Sequence, residues 1–147
     1  MGLLVSLTKG EGMEWTRDLT VGIETIDRQH QELFKRIKGL LAAIKEKRCR
    51  SEIDGTIAFL DDYARFHFGE EEQRMEAAGY PGLADHRNQH AVYLRNIQEL
   101  KELAARPRIS GMSYELSVTT NQVAVDWIVD HIMKIDRKFG EYVKSRE

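Results

Sequence analysis

Seven side chains of this sequence have the types and the spacing of metal ligands. The chain contains five histidines, and all five fall on apolar stripes with helical spacing. In two pairs, His67 with Glu71 and His86 with His90, the partners are four residues apart and so lie on one helix face, about one turn apart. The full set is His30, His67, Glu71, His86, His90, His131 and Asp136.

Taken alone, each of these residues has an ordinary structural explanation. A single histidine on an apolar stripe, such as His30, is usually a hydrogen-bonded core residue, and His67 with Glu71 would suit a surface pair on a helix. Together, however, the residues bring seven ionisable groups into one apolar interior, at a cost on the order of several kcal/mol each unless something compensates them. Two divalent cations would do so, and we therefore interpret the set as a two-metal site.

The ligand types narrow the choice of metal. Imidazole together with carboxylate suits iron, manganese or zinc, and the lack of thiolate disfavours a structural zinc site or an iron–sulfur cluster. Two carboxylates and five imidazoles are enough for two metals that share both carboxylates and keep one coordination position open. Glu70 and Glu72 are each rotated by about 100° from Glu71 around the helix. We therefore expect both to matter less for metal binding than Glu71.

Four amphipathic helices are predicted to position these residues. Their predicted bounds are Ile23–Lys45, Ser51–Ala78, Leu83–Ala104, and from near Ser113 to the region of Phe139 and Gly140. Ser51 and Asp54 form a capping-box pattern at the start of the second helix, and Gly79 predicts its end. Short connections make neighbouring helices antiparallel. We predict an all-α, up-down-up-down four-helix bundle over residues 21–147, with residues 1–20 as an N-terminal arm.

Length and composition indicate an ordinary soluble domain. The 147 residues can bury a core without disulfides, and the 22 basic and 24 acidic residues are well mixed, with a net charge of −2. No basic stripe with interleaved aromatic residues predicts a nucleic-acid partner, and the apolar run from Leu3 to Leu7 is too short to span a membrane. The single Cys49 cannot form an internal disulfide, which favours a reducing compartment, and we predict a cytoplasmic location.

Ordered motifs along nearly the whole chain resemble those of the hemerythrin family. The segments that carry the resemblance are Ile26-Asp27 with Gln29-His30, His67-Phe68-Gly69-Glu70-Glu71, Gly79-Tyr80-Pro81, and Trp127-Ile128-Val129-Asp130-His131-Ile132 with Asp136. The second of these segments is similar to the HFxxEE signature of that family. Any one piece is weak evidence, but the ordered set with these spacings is specific.

The resemblance implies a non-haem di-iron site with a defined division of ligands. One iron would take three histidines and the other two, while both carboxylates would bridge the irons together with a solvent-derived oxo or hydroxo group. The implied ligands are His86, His90 and His131 for the first iron, His30 and His67 for the second, and Glu71 and Asp136 for the bridges. Four neighbouring residues would form an apolar pocket wall, although plain core packing explains each of them as well. They are Leu33, Phe68, Trp127 and Ile128.

The function implied by the resemblance is the binding of dioxygen or another small diatomic ligand at the iron pair. Five neutral imidazoles favour reversible binding, for oxygen carriage, storage or sensing, because di-iron enzymes that activate oxygen usually have more carboxylates, as in ferritin-like sites. Two alternatives stay open at this point. One is a di-iron enzyme, either a peroxidase or a catalyst that handles nitric oxide, and the other is an iron or heavy-metal buffer. A sensor would also need a partner protein.

Overall fold

Four long helices joined by short connections make up the fold. The structure is a computed structural model that describes residues 15–106 and 112–147, and none of these residues lies in a strand. Residues 1–14 of the predicted arm lie outside the described part. The helices are α1 (Glu24–Lys45), α2 (Arg50–Ala77), α3 (Leu83–Ala105) and α4, a continuous helical run over 112–145. The predicted all-α architecture is confirmed.

Neighbouring helices run antiparallel around a shared core. α1 packs against α2, α2 against α3, and α4 against both α3 and α1. Lys101 Nζ lies 2.6 Å from Asp61 Oδ2, and further along α2 the Oε2 atom of Glu72 lies 2.6 Å from His90 Nδ1. The residue number on α3 falls as the number on α2 rises, so these two helices are antiparallel. The predicted up-down-up-down order is confirmed.

The core consists of the apolar stripe on the inner face of each helix. In α1 this stripe follows steps of three and four residues, and His30 occupies one of its positions. Fully burying a side chain of this kind stabilises the protein by roughly 1.5–3 kcal/mol, so the same stripe holds the helix in place and fixes the direction of the histidine. The buried members in α1 include Ile26, Leu33, Ile37, Leu40 and Ile44.

The two ends of α2 differ in how well the sequence predicts them. The helix begins at Arg50 with Cys49 as its N-cap residue, and no side-chain hydrogen bond caps this end. The predicted capping box is therefore wrong, because Ser51 already lies inside the first turn, where its hydroxyl contacts Cys49 Sγ at 3.3 Å. The other end follows the prediction. α2 ends at Ala77, and Gly79 adopts the left-handed φ of 65° that glycine accommodates after a helix.

The last helix continues past its predicted end near Gly140 and stops at Ser145. Gly140 is buried inside the helix, and a Cβ atom there would collide with the carbonyl oxygen of Val21. This glycine therefore allows a close approach of the chain that precedes α1 and does not mark a helix end. The amides of Val21 and Gly22 donate hydrogen bonds of 2.8 and 3.3 Å to the carboxylate of Asp27, which fixes the entry into α1.

Candidate metal centre

The seven predicted ligand residues come together in one buried cluster. α1 contributes one of them, and α2, α3 and α4 contribute two each. None is more than 2% exposed, so the helices deliver seven ionisable side chains into the interior of the bundle. The members of this cluster are His30, His67, Glu71, His86, His90, His131 and Asp136.

The cluster divides into two groups of residues, and within each group the ligand atoms all lie within 4.8 Å of one another. We call them the three-histidine group and the two-histidine group. Both groups contain Glu71 and Asp136. In addition, the three-histidine group contains His86, His90 and His131, and the two-histidine group contains His30 and His67.

Glu71 turns one carboxylate oxygen toward each group. Its Oε1 atom lies 3.0 Å from His86 Nε2 and 3.1 Å from His90 Nε2. Its Oε2 atom lies on the other side, 3.9 Å from His67 Nε2. A carboxylate in this position can bind two cations, one through each oxygen.

Asp136 repeats this arrangement from the opposite side of the bundle. Its Oδ1 atom lies 2.8 Å from His86 Nε2 and 2.9 Å from His131 Nε2. Its Oδ2 atom lies 3.0 Å from His30 Nε2. The two carboxylates therefore both stand between the same two groups of imidazoles.

Many of these buried atoms have no hydrogen-bond partner. They include both oxygens of Glu71, Oδ2 of Asp136, and Nε2 of His30, His67 and His90. Some of these atoms lie close together, such as Glu71 Oε1 and His90 Nε2 at 3.1 Å, without forming a hydrogen bond. Buried polar atoms are almost always satisfied in proteins, and converging imidazole and carboxylate lone pairs suit a divalent cation. The residues present therefore fit two metal ions.

The backbone of α4 explains how His131 and Asp136 reach the same group although they are five residues apart. Ile132–Asp136 is a π-helical turn, in which hydrogen bonds join residues five apart. In a regular α-helix such residues point about 140° away from each other. The wider π turn brings them to one face instead. The apolar pattern placed both residues at the site, but no sequence pattern indicated the π turn.

Three further side chains hydrogen-bond the outer ring nitrogens of histidines in this cluster. Each pair joins a side-chain oxygen to Nδ1, which leaves Nε2 with the free lone pair that a metal needs. The pairs are Gln29 with His67 at 2.8 Å, Gln89 with His131 at 3.1 Å, and Glu72 with His90 at 2.6 Å. None of these three contacts is predicted from the sequence, because the periodicity of one helix does not show which residue of its neighbour it meets. The rotation of Glu72 from Glu71 carries its side chain toward α3, where it meets His90.

Burial and charge displace the pKa values of the two bridging carboxyl groups in opposite directions. Burial and the negative charge of Asp136 raise the pKa of Glu71 above its usual value. Burial acts in the same direction on Asp136, but its contacts with His131, His30 and His86 outweigh burial and hold its pKa below the usual value. Two carboxyl groups with separated pKa values are typical of a functional site.

The histidines of the three-histidine group are also perturbed. Burial, together with the neighbouring His131 and His86, lowers the pKa of His90 to about 2, so its ring is neutral and available as a ligand. Burial alone would lower the pKa of His86 as well, but its contacts with Asp136 and Glu71 outweigh burial and raise that pKa to about 9. A metal ion at His86 would therefore displace a proton.

Aromatic rings cover the three-histidine group. The ring of Phe68 stacks on His90 with centroids 3.8 Å apart, and the ring of Trp127 stacks on His131 at 4.5 Å. The buried ring of Tyr93, which the sequence analysis did not select, lies 4.6 Å from Trp127. Of the four predicted pocket residues, Leu33, Phe68 and Ile128 are buried and Trp127 is partly exposed. Their role as the wall of a ligand pocket stays a prediction.

The fold and the cluster together define a cation-binding four-helix bundle. The chain belongs to the hemerythrin family, since the model described as the hemerythrin HHE cation binding domain matches residues 21–143. Among the described residues, no helix is long and apolar enough to cross a membrane.

Individual relatives agree with this family. The chain is 30% identical over 131 residues to a bacteriohemerythrin of Stenotrophomonas maltophilia, covering 89% of this chain and 81% of the relative. It is 25% identical to a myohemerythrin of Theromyzon tessulatum, covering 88% of this chain and 92% of the relative. A crystal structure of wild-type hemerythrin superimposes with a TM-score of 0.73 at 26% identity, covering 88% of this chain and 95% of that one.

Proposed function

We propose that this chain holds two non-haem irons and binds dioxygen reversibly, for oxygen carriage, storage or sensing. The observation that carries the proposal is the position of Glu71 and Asp136, each with one oxygen facing each group of imidazoles. His86, His90 and His131 would bind one iron, and His30 and His67 the other. Glu71 and Asp136 would bridge the pair, together with an oxo or hydroxo group.

The ligand set favours a carrier over an enzyme. Two ferrous ions supply the electrons and the open coordination position that dioxygen needs. The protein contributes five imidazoles and two carboxylates, whereas ferritin-like di-iron sites are richer in carboxylate, with a Glu from each of two helices and a Glu-x-x-His pair from each of the other two. Fewer anionic ligands stabilise highly oxidised iron less, so release of intact dioxygen is favoured over its use as an oxidant.

The surroundings of the site support the same function. All seven ligand residues are buried, and the rings of Phe68 and Trp127 lie against the three-histidine group. Such an apolar enclosure limits the access of water and protons, which would otherwise promote irreversible oxidation. The unpaired, exposed thiol of Cys49 suits a reducing compartment, and we infer a cytoplasmic location.

The test combines metal analysis with spectroscopy of the purified protein. We expect about two irons per chain, and the colourless reduced protein should gain intense charge-transfer absorption under oxygen and lose it when oxygen is removed. The same protein reconstituted with zinc is the control and should show no change. One metal per chain, or mostly zinc, would contradict the di-iron assignment. Immediate, irreversible oxidation with stoichiometric product would instead indicate a di-iron enzyme.

A further inference from the structure

The three histidines with outer hydrogen bonds do not have equivalent partners. His67 and His131 donate from Nδ1 to the neutral amide oxygens of Gln29 and Gln89 at 2.8 and 3.1 Å. The third contact is to a carboxylate and is the shortest of the three. It joins His90 to Glu72 Oε2 at 2.6 Å.

Glu72 connects this buried histidine to a cation at the surface. Its second oxygen, Oε1, accepts a hydrogen bond of 3.2 Å from Arg87 Nε. The side chain of Glu72 is 22% exposed and that of Arg87 is 49% exposed. Two successive contacts, from Arg87 to Glu72 and from Glu72 to His90, therefore connect the solvent-exposed surface to the metal centre. Arg87 also lies 3.6 Å from Glu76, whose side chain is 71% exposed.

A carboxylate partner changes the donor strength of the imidazole that it contacts. When Nδ1–H donates to an anion, electron density at Nε2 increases, and the ring becomes a stronger ligand than one that donates to an amide. Stronger donation stabilises a ferric ion more than a ferrous ion because the ferric charge is higher. A cation on the far oxygen of the carboxylate opposes this effect, since it draws negative charge away from His90.

We propose that Glu72 is a positioning residue that lowers the reduction potential of the iron bound by the three-histidine group, and that Arg87 limits how far it does so. This inference rests on the proposed iron site, because the histidine on which Glu72 acts is assigned there as a ligand. The chain thus controls the stability of its ferric state from a surface arginine. The two amide contacts on His67 and His131 fix ring orientation without adding charge.

The experiment compares the reduction potentials of iron-loaded variants. Glu72→Gln keeps an oxygen acceptor for Nδ1–H but removes the charge, so the potential should become more positive. Arg87→Gln leaves the carboxylate without its cation, so the potential should become more negative. Glu76→Gln is the matched control, because it removes a more distant and more exposed charge next to Arg87, and its potential should stay near that of the unmodified protein. Opposite shifts from the first two variants are the signature, since a purely structural role would move both in one direction.

A second readout does not depend on iron. In the zinc-loaded protein, the Nδ1 proton of His90 should resonate far downfield in the proton NMR spectrum and move upfield in Glu72→Gln. If Glu72→Gln does not bind iron, the reduction potential of Arg87→Gln still tests the inference. A potential equal to that of the unmodified protein would overturn it. If the unmodified protein itself fails to bind two irons, the proposed function has failed. If it binds two irons and neither variant shifts the potential, only the present inference has failed.

Discussion

Glu71 is the residue on which both groups of the metal centre depend. It is fully buried, both of its oxygens lack hydrogen-bond partners, and burial together with Asp136 raises its pKa. The ionised carboxyl group destabilises the bundle by itself, because its contact with His86 does not offset its burial and the nearby charge of Asp136. The proposed cations on both of its sides would explain its position.

Replacing this carboxylate should therefore remove metal from both groups at once. We expect Glu71→Gln, which preserves the shape of the side chain, to lower iron affinity by more than the roughly 10–100-fold that is typical of residues outside the ligand shell. Glu70→Gln is the control on the preceding residue and should keep full iron. Glu72→Gln should lie between them, since it touches a ligand and not the metal. Equal iron loss in all three variants, measured by elemental analysis after dialysis, would rule out a bridging role for Glu71.

At this scale the sequence predicts which ionisable side chains converge better than it predicts the residues that hydrogen-bond them. His30 and its six counterparts interrupt apolar stripes, and a stripe records which side chains of one helix point inward. The partners of the ring nitrogens are different, because Glu72 meets His90 only through the rotation of α2 relative to α3. That rotation is a property of two helices, and the periodicity of either one alone does not contain it. For the same reason, the contacts of Gln29 with His67 and of Gln89 with His131 could not be predicted from the sequence.

At the scale of elements, α4 departs most from a regular helix. It contains two π-helical segments, Asn121–Asp126 and Ile132–Asp136, on either side of a short α-helical segment. The second segment brings His131 and Asp136 to one face of the helix. Two side chains of α3 donate hydrogen bonds to backbone carbonyl oxygens of the first segment. Tyr93 Oη donates to the carbonyl of Ala124 at 3.5 Å, and Asn96 Nδ2 donates to the carbonyl of Val123 at 3.4 Å. These donors help to satisfy carbonyls where the regular hydrogen-bond pattern is interrupted.

The π turn at Ile132–Asp136 should depend on metal more than the rest of the bundle does. A metal ion bound to both His131 and Asp136 would close this turn from the side-chain end, and its removal would leave the backbone bonds of an irregular segment and one contact between the two side chains. We expect hydrogen exchange, followed by mass spectrometry, to accelerate there first when iron is chelated. The α2 segment around Ile57 and Leu60, which lies in the apolar core, serves as the control and should keep its protection. Uniform acceleration along all four helices would show that the turn is not a distinct unit.

The element boundaries show where sequence rules compete with packing. Gly79 follows the end of α2 as predicted, with a left-handed φ of 65°. No neighbouring atom lies within 4 Å of the place where its Cβ would be, so the turn alone accounts for this glycine. Gly140 has the same residue type and a similar position near a helix end, yet the helix continues through it. The carbonyl of Val21 occupies the space where a Cβ atom would be. That contact joins residues far apart in the sequence, so the local pattern could not distinguish the two glycines.

At the scale of the whole molecule, the bundle places its seven proposed metal ligands where an apolar core would otherwise be. Each helix buries an apolar stripe, and ionisable groups replace one step of that stripe on α1 and two steps on each of α2, α3 and α4. Marginal stability is the rule for domains of this size, so seven buried ionisable groups that only partly compensate one another are a large burden. The fold should therefore be more dependent on its metals than its length suggests.

The melting temperature should drop when iron is removed. A ligand present at about a thousand times its dissociation constant stabilises a protein by about 4 kcal/mol, and in a chain of this length each kcal/mol corresponds to roughly 2–4 °C. We therefore expect the iron-free protein to melt roughly 8–16 °C lower by calorimetry. Equal melting temperatures of the iron-bound and iron-free forms would mean that the ligand residues are not truly interior.

The iron-free Glu71→Gln variant tests whether buried charge causes the lower melting temperature of the iron-free protein. The pKa of Glu71 is raised in the folded protein from an ordinary value of 4.5, so without metal this group destabilises the fold above about pH 4.5 and has no such effect well below it. At neutral pH the iron-free Glu71→Gln protein should accordingly melt higher than the iron-free unmodified protein, and this advantage should vanish near pH 3. Iron-free Glu70→Gln is the control and should have the same melting temperature as the iron-free unmodified protein at both pH values. If Glu71→Gln lowers the melting temperature of the iron-free protein at neutral pH, the carboxylate stabilises the bundle by itself, and the metals are not what compensates it.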